Sequence, residues 1–372
     1  MREQNSAIWS IGTALPPYRI TQERVLRFML EYYPDDAGLK RRLSYVYRRS
    51  HIDYRNSCCA DFADDSATVS GEGKLFLREE PETGQRMRAY EEWIGKLVFG
   101  AVRQALSRQE VFGAEHITHF IMVTCTGFCA PGADLELFEK LGLRREIRRL
   151  QIGFMGCQAA LPALQTADSI CRADPDAVVL LVCAELCTLH FQRQPTEENL
   201  IINSLFGDGA AAVLVARPTQ GGARALCHLD RFASQLVPDS RDLVTWKIGD
   251  RGFRMGLSLE TPAVLSRVLP EFVSALIEGA GLQQSSIDFW AIHPGGRAIL
   301  DAAEKALALG PQALAVPREV LRLYGNMSSP TILFVLERIL ERAGDGQVGL
   351  ALSCGPGLNL EGLLWRRETD HG

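Results

Sequence analysis

Apolar positions along the chain fall into two kinds of run. Short continuous stretches, each closed by small or polar residues, read as strands buried on both faces. These are THFIMVTCTG (118–127), AVVLLVCAE (177–185), GDGAAAVLVA (207–216), DFWAIHPGG (288–296) and QVGLALSCG (347–355), with GPGLNLEGLLWR (355–366) as a turn and strand. Other stretches carry apolar residues at helical spacing. MRAYEEWIGKLVFGAVRQAL (87–106) is an amphipathic helix, residues 157–172 are another, and SPTILFVLERILERA (329–343) is a third, with Pro330 in its first turn. Residues 20–50 read as helical and run into a dense basic segment, KRRLSYVYRRSHIDYR. Residues 63–86, rich in Asp, Glu and Gly, read as a surface excursion.

The order of these elements repeats, and so does their spacing. Cys125 and Cys157 are 32 positions apart, His293 and Asn326 are 33 apart, and Cys157–Ala184 and Asn326–Ser353 each span 27. Two superposable halves would produce this. Buried strands alternating with helices imply an α/β chain whose sheets are covered on both faces. Two such halves packed together predict a layered αβαβα body. The boundary is expected in RPTQGGARA (217–225), dividing the chain into 1–220 and 221–372.

Composition narrows the classes. With 372 residues, 47% hydrophobic and 23% charged, the chain can build its core without disulfides. A net charge of −5 argues against general binding to nucleic acid or a membrane surface, so an anionic ligand would need a local basic patch. The ten cysteines lack CxxC spacing and a histidine cluster, which argues against a zinc site; most read as buried small hydrophobes in a reducing cytoplasm. The first residues lack the pattern of a signal peptide, and no apolar run is long enough to span a bilayer.

Three residues stand at junctions where duplicated halves would converge. Cys157, in GCQAALPAL, opens what reads as a helix, where backbone N–H groups and the helix dipole are expected to lower a thiol pKa. Among seven histidines, His293 ends a very apolar strand before Pro-Gly-Gly, which leaves its ring at a loop mouth or makes it a structural strand-end histidine. Asn326, in YGNMSSP, is a turn residue or an uncharged donor aimed at an oxyanion, with Ser328 or Ser329 expected to cap the next helix. Cys, His and Asn together suit thiol-mediated acyl transfer.

GCQAALPAL, LFGDGAAAVLV, WAIHPGG, YGNMSSPTILFVL and CGPGLNLEGLLW, in that order, resemble the type III polyketide synthases of the chalcone/stilbene synthase superfamily, which have the thiolase fold. The resemblance covers about residues 8–367, and WKIGDRGFRMGLS is closer to the bacterial branch. It implies Cys157 as nucleophile, with His293 and Asn326 stabilising the thiolate and a thioester enolate. It implies Phe206 as an aromatic gatekeeper, Met255 near a second gate, and Cys187, His190 and Ser328 as cavity-lining residues. Two departures bear on the product. Cys354 stands where the glycine-rich loop usually has an aromatic, and His190 replaces a small residue, narrowing or polarising the cavity.

The implied reaction loads an acyl-CoA starter on Cys157, extends it by decarboxylative Claisen condensation with malonyl-CoA, and cyclises the chain to a pyrone, resorcinol or related ring. It needs no metal and no cofactor beyond CoA thioesters. Arg55, with Arg49 nearby, and Arg297 are candidates for CoA phosphates at a tunnel entrance; otherwise they are a solvated helix face. The resemblance also implies a homodimer, and Met255 makes a fatty-acyl starter and a long tunnel the expectation. The nearest alternative is β-ketoacyl carrier-protein synthase III, whose histidine motif reads HQAN rather than HPGG. A thiol hydrolase or a scaffold with a relic site is a second alternative.

Overall fold

The computed structural model describes residues 5–33, 36–63, 74–76, 80–218 and 224–368. The expected boundary at 220/221, much of the 63–86 excursion and the tail histidine at 371 lie outside them. Among the described residues, nine strands form one mixed sheet. One arm holds β1 (Ala7–Ala14), β7 (Asp208–Ala216), β6 (Val178–Leu186), β4 (His119–Thr124) and β5 (Arg148–Gly153), in that spatial order. The other holds β8 (Cys227–Leu236), β13 (Asn359–Arg366), β12 (Val348–Gly355) and β11 (Phe289–Ile292).

The pairings recur from arm to arm. β1–β7 and β7–β6 are antiparallel and β6–β4 parallel; β8–β13 and β13–β12 are antiparallel and β12–β11 parallel. The arms meet where Ala7 and Ile8 pair with His228 and Cys227. The remaining strands form two small ribbons, β2 (Tyr18–Thr21) with β3 (Tyr54–Ser57) and β9 (Val244–Gly249) with β10 (Gly252–Leu257).

Side-chain alternation sorts the strand residues between helix layers. Ala291, Ala351 and Leu363 of one arm and Val179, Leu181 and Val213 of the other enclose α5 (Ala160–Ala173) and α10 (Thr331–Leu340), which are buried between the arms. α3 (Thr83–Ser107) covers the outer face of the first arm, packing Val98 and Ala101 against Leu180 and Ala212. α7 (Thr261–Glu278) and α8 (Arg297–Ala306) cover the second arm through Leu265, Phe272 and Leu300 against Trp290 and Leu350. The result is helix, sheet, helix, sheet, helix, the thiolase-like αβαβα arrangement.

Local structure departs from expectation in three places. Residues 20–50 begin in β2 and then divide into α1 (Gln22–Tyr32) and α2 (Ala37–Arg49). Cys157 lies in the turn before α5 rather than in the helix, because regular helix starts only at Ala160. Pro330 occupies the N-cap position of α10 with no side-chain cap, because Ser329 gives its hydroxyl to Glu185 at 2.7 Å instead.

Candidate active site

The two central helices start beside one another, and the turns leading into them carry Cys157 and Asn326. Asn326 Nδ2 lies 3.9 Å from Cys157 Sγ and donates to the carbonyl of Gly295 at 3.2 Å. Its Oδ1 accepts from the Ser328 N–H at 2.8 Å, which fixes the amide so that its donor end faces the sulfur. The Asn326 backbone is tied to the other half, accepting from Gly207 N–H and donating to Leu205 O, each at 2.9 Å. His293 follows β11 and is 2% exposed. Its Cδ2–Nε2 edge lies against Gly295, within 3.7 Å of where a Cβ would stand, and neither ring nitrogen has a protein partner among the described residues. Gly295 is thus the point where the Asn326 amide and the His293 ring meet.

Electrostatics correct one expectation. Hydrogen bonds from Ser328 and Asn326 favour a Cys157 thiolate, but burial dominates, the buried Glu185 adds to it, and the thiol is pushed up to about 11. The same burial pulls His293 down to about 3. Cys157 itself is only partly buried, at the cavity edge, so desolvation opposes the thiolate that the nearby helix start and the Ser328 and Asn326 hydrogen bonds favour. Ser328 sits in the left-handed region at φ 61, holding its side chain at the sulfur at a backbone cost of about 1–3 kcal/mol.

A cavity of about 80 Å³ adjoins Cys157. Phe206, Met255, Cys187, His190 and Ser328 all line it. His190 does not polarise it: Nε2 bonds the Thr126 carbonyl at 2.7 Å, Nδ1 accepts from Phe253 N–H at 3.0 Å, and the ring stacks on Phe253 at 4.2 Å. With both nitrogens engaged, His190 is a neutral wall that narrows the space.

The three arginines do not share a site. Arg49 is exposed at the end of α2, its Nη1 2.6 Å from Tyr45 Oη. Arg297 is half-buried at the start of α8 and pairs with Asp301 at 3.1 Å. Arg55 is not at a solvated entrance: it is 4% exposed and donates to the carbonyls of Asn203 and Phe206. Its position in β3, facing inward, removes it from any helix face.

Sequence reading passed over Trp246, Phe253 and Glu185. Trp246 and Met255 pair across the β9–β10 ribbon and both line the cavity, with Trp246 Nε1 donating to the Cys125 carbonyl at 2.8 Å. The turn at Asp250–Arg251 between alternating strands was the available signal for this wall. Glu185, a carboxylate closing a continuous apolar strand, carried its own signal in that mismatch.

Comparison with known proteins gives the family and the fold. The N-terminal domain model of chalcone and stilbene synthases matches residues 1–218, and the C-terminal domain model matches 228–368. The "Alpha-pyrone synthesis polyketide synthase-like Pks18" of Mycobacterium tuberculosis is 32% identical over 97% of this chain and 91% of its own length. "Type III polyketide synthase A" of Arabidopsis thaliana is 30% identical over 98% and 93%. The crystal structure of PKS-I from the brown alga Ectocarpus siliculosus superposes with a TM-score of 0.91 at 28% identity, covering 98% of both chains. The C-terminal type III domain of Steely1 from Dictyostelium superposes at 0.90 with 26% identity, covering 98% of this chain and 99% of that one.

The fold and these matches define a condensing enzyme of the acyltransferase class. The chain belongs to the chalcone and stilbene synthase family and is a type III polyketide synthase. The single-condensation alternative, β-ketoacyl carrier-protein synthase III, finds no support in these comparisons. Among the described residues, no helix is long and apolar enough to cross a membrane.

Proposed function

We propose that Cys157 is the nucleophile, that His293 and Asn326 are its partners, and that acyl-CoA and malonyl-CoA are the substrates. The observation that carries the reading is the Asn326 amide, aimed at Cys157 Sγ while anchored beside His293 through Gly295. His293 takes the thiol proton as the sulfur attacks the starter thioester; the carbonyl–CoA bond breaks, and the CoA sulfur leaves with that proton. Malonyl-CoA loses carbon dioxide, and the electron pair passes to the thioester oxygen as an enolate. Donors from His293 and Asn326 hold that oxygen. The enolate carbon attacks the Cys157 thioester, forming a C–C bond and releasing the sulfur for another round. Two donors suffice for the enolate, so the reaction needs no metal and no cofactor beyond the CoA thioesters.

Phe206 and Met255 act as gates, and Cys187, His190 and Ser328 shape the cavity. The lining also includes Ile20, Val25, Phe62 and Phe191 from the apolar cluster beneath α1, which favours a fatty-acyl starter. The relative whose name carries alpha-pyrone synthesis favours a pyrone among the ring products. Arg49 and Arg297 remain the candidates for CoA phosphates. The repeated strand pairing supports two halves, 1–220 and 221–372, the first supplying Cys157 and the second His293 and Asn326. The open edge of β5, where Leu150 is 44% exposed, supports a homodimer, and the free cysteines support a cytoplasmic enzyme.

The test incubates the protein with malonyl-CoA and a panel of acyl-CoA starters, without carrier protein, and reads products by mass spectrometry. Extended, cyclised products are expected from wild type and none from Cys157→Ala. Acyl transfer that survives this substitution removes Cys157 as nucleophile, and absence of extension by wild type defeats the substrate assignment.

A further inference from the structure

Arg55 lies beneath the junction that carries Asn326 and Phe206. Its Nη1 donates to the carbonyls of Asn203 at 2.8 Å and Phe206 at 2.7 Å. Asn203 is in the last turn of α6 (Glu197–Leu205) and Phe206 is its C-cap, where helix carbonyls lack intrahelical partners. A cation there also suits the negative end of the helix. Between those two residues, the Leu205 carbonyl accepts the Asn326 N–H, and the next residue, Gly207, donates to the Asn326 carbonyl. One guanidinium therefore clamps the segment whose remaining hydrogen bonds fix the Asn326 backbone.

The crossing is tight. A Cβ on Gly325, at φ 69, would stand 2.7 Å from Leu205 O and 2.9 Å from Arg55 Cγ. One on Gly207 would stand 2.8 Å from Tyr324 O. The Arg55 stem thus fills the space beneath the two segments that cross here. Among the described residues the guanidinium makes no ion pair within 4 Å, yet it sits 4% exposed, a costly placement for a charge without a carboxylate at contact. Tyr47 and, at longer range, Asp208 are the groups that favour its charged form.

We propose that Arg55 is a positioning residue for condensation: by clamping the 203–206 carbonyls it sets where the Asn326 amide and the Phe206 ring stand over Cys157, and it takes no part in holding CoA. The inference rests on the reading that Asn326 holds the enolate. It replaces a role at the substrate phosphates with one at the reacting end of the substrate.

Decarboxylation is measured for wild type, Arg55→Met and Arg55→Lys, with malonyl-CoA and with malonyl-N-acetylcysteamine, a thioester that lacks the CoA phosphates. Arg55→Met is expected to lower kcat about tenfold or more while KM for both thioesters stays within about twofold. Arg55→Lys, which restores a charge and one donor, recovers part of the loss. It keeps the test alive if the Met variant fails to fold. A KM that rises for malonyl-CoA alone would mean a phosphate contact, and an unchanged kcat would mean no clamp; either overturns the proposal. In an Asn326→Ala background, Arg55→Lys is expected to cost no further decarboxylation. A full additional loss there would assign Arg55 a general structural role and defeat the proposal. Asn326→Ala alone tests the enolate reading: a wild-type rate of decarboxylation in that variant would sink it, whatever Arg55 does.

Discussion

Glu185, next to the last residue of β6, is buried in the core and carries a pH dependence whose sign and size follow from its surroundings. Its Oε2 accepts from Cys125 N–H and Thr126 Oγ1 at 2.8 Å each and from Thr124 Oγ1 at 3.3 Å. Oε1 accepts from Ser329 Oγ at 2.7 Å. These donors favour the carboxylate, yet burial outweighs them and lifts the pKa from 4.5 to about 7. The unfolded chain releases this proton near 4.5 and the folded chain only near 7, so the native state binds more protons in between. The contribution to stability is fully present below about pH 4.5 and is lost as pH rises through 7. A gap of about 2.5 pH units, at about 1.36 kcal/mol each, gives about 3 kcal/mol.

Glu185→Gln stays neutral throughout, with its oxygen facing the three donors and its amide donating to Ser329. Urea unfolding of both proteins between about pH 5 and pH 8.5 is expected to show the glutamine variant gaining up to about 3 kcal/mol on wild type across the range. Taking the difference removes Asp208, which is buried and raised to about 6 in the same direction. A difference that does not change with pH refutes the reasoning. A second readout comes from the thiol, since ionised Glu185 adds to the upward push on Cys157. Iodoacetamide should therefore alkylate the variant faster than wild type above pH 7.

Two further substitutions probe the geometry. Gly325→Ala puts a Cβ at φ 69 against the Leu205 carbonyl, so about 1–3 kcal/mol of stability and most of the decarboxylation rate should be lost together. Retained kcat at a lowered urea midpoint would separate the crossing from catalysis. Trp246→Ala opens the wall beside Met255, and product mass spectra are expected to shift to longer chains. An unchanged product distribution would show that another residue limits length.

Much of this molecule is legible in the chain itself because burial on both faces writes continuous apolar strands, and duplication writes them twice. Cys157 and Asn326 meet because turns after corresponding strands face one another, and Phe206, Met255, Cys187, His190 and Ser328 line the cavity beside them. Arg55 was misplaced because a basic run looks alike whether its cations face solvent or, as in β3, one of them points inward; only strand pairing with β2 decides that. The Cys157 pKa was misjudged for a related reason. A local helix start is visible in sequence, whereas the water excluded by two packed halves is a property of the assembled fold.

Two histidines show where sequence reasoning ends and geometry takes over. His190 and His293 both follow apolar strands, both are nearly inaccessible, and burial pulls both down to about 3. Their hydrogen bonds separate them. His190 has spent both nitrogens on Thr126 and Phe253, so its tautomer is fixed and its ring serves as wall. His293 has both nitrogens free of protein partners among the described residues, beside an amide held open toward the sulfur. A neutral imidazole with an uncommitted nitrogen can accept the thiol proton in one step and donate to an enolate oxygen in the next. The dryness that makes a resting ion pair costly also strengthens each of those hydrogen bonds once an anion forms. Burial therefore opposes charge at the sulfur in the empty enzyme and strengthens the hydrogen bonds made to the anion once it forms.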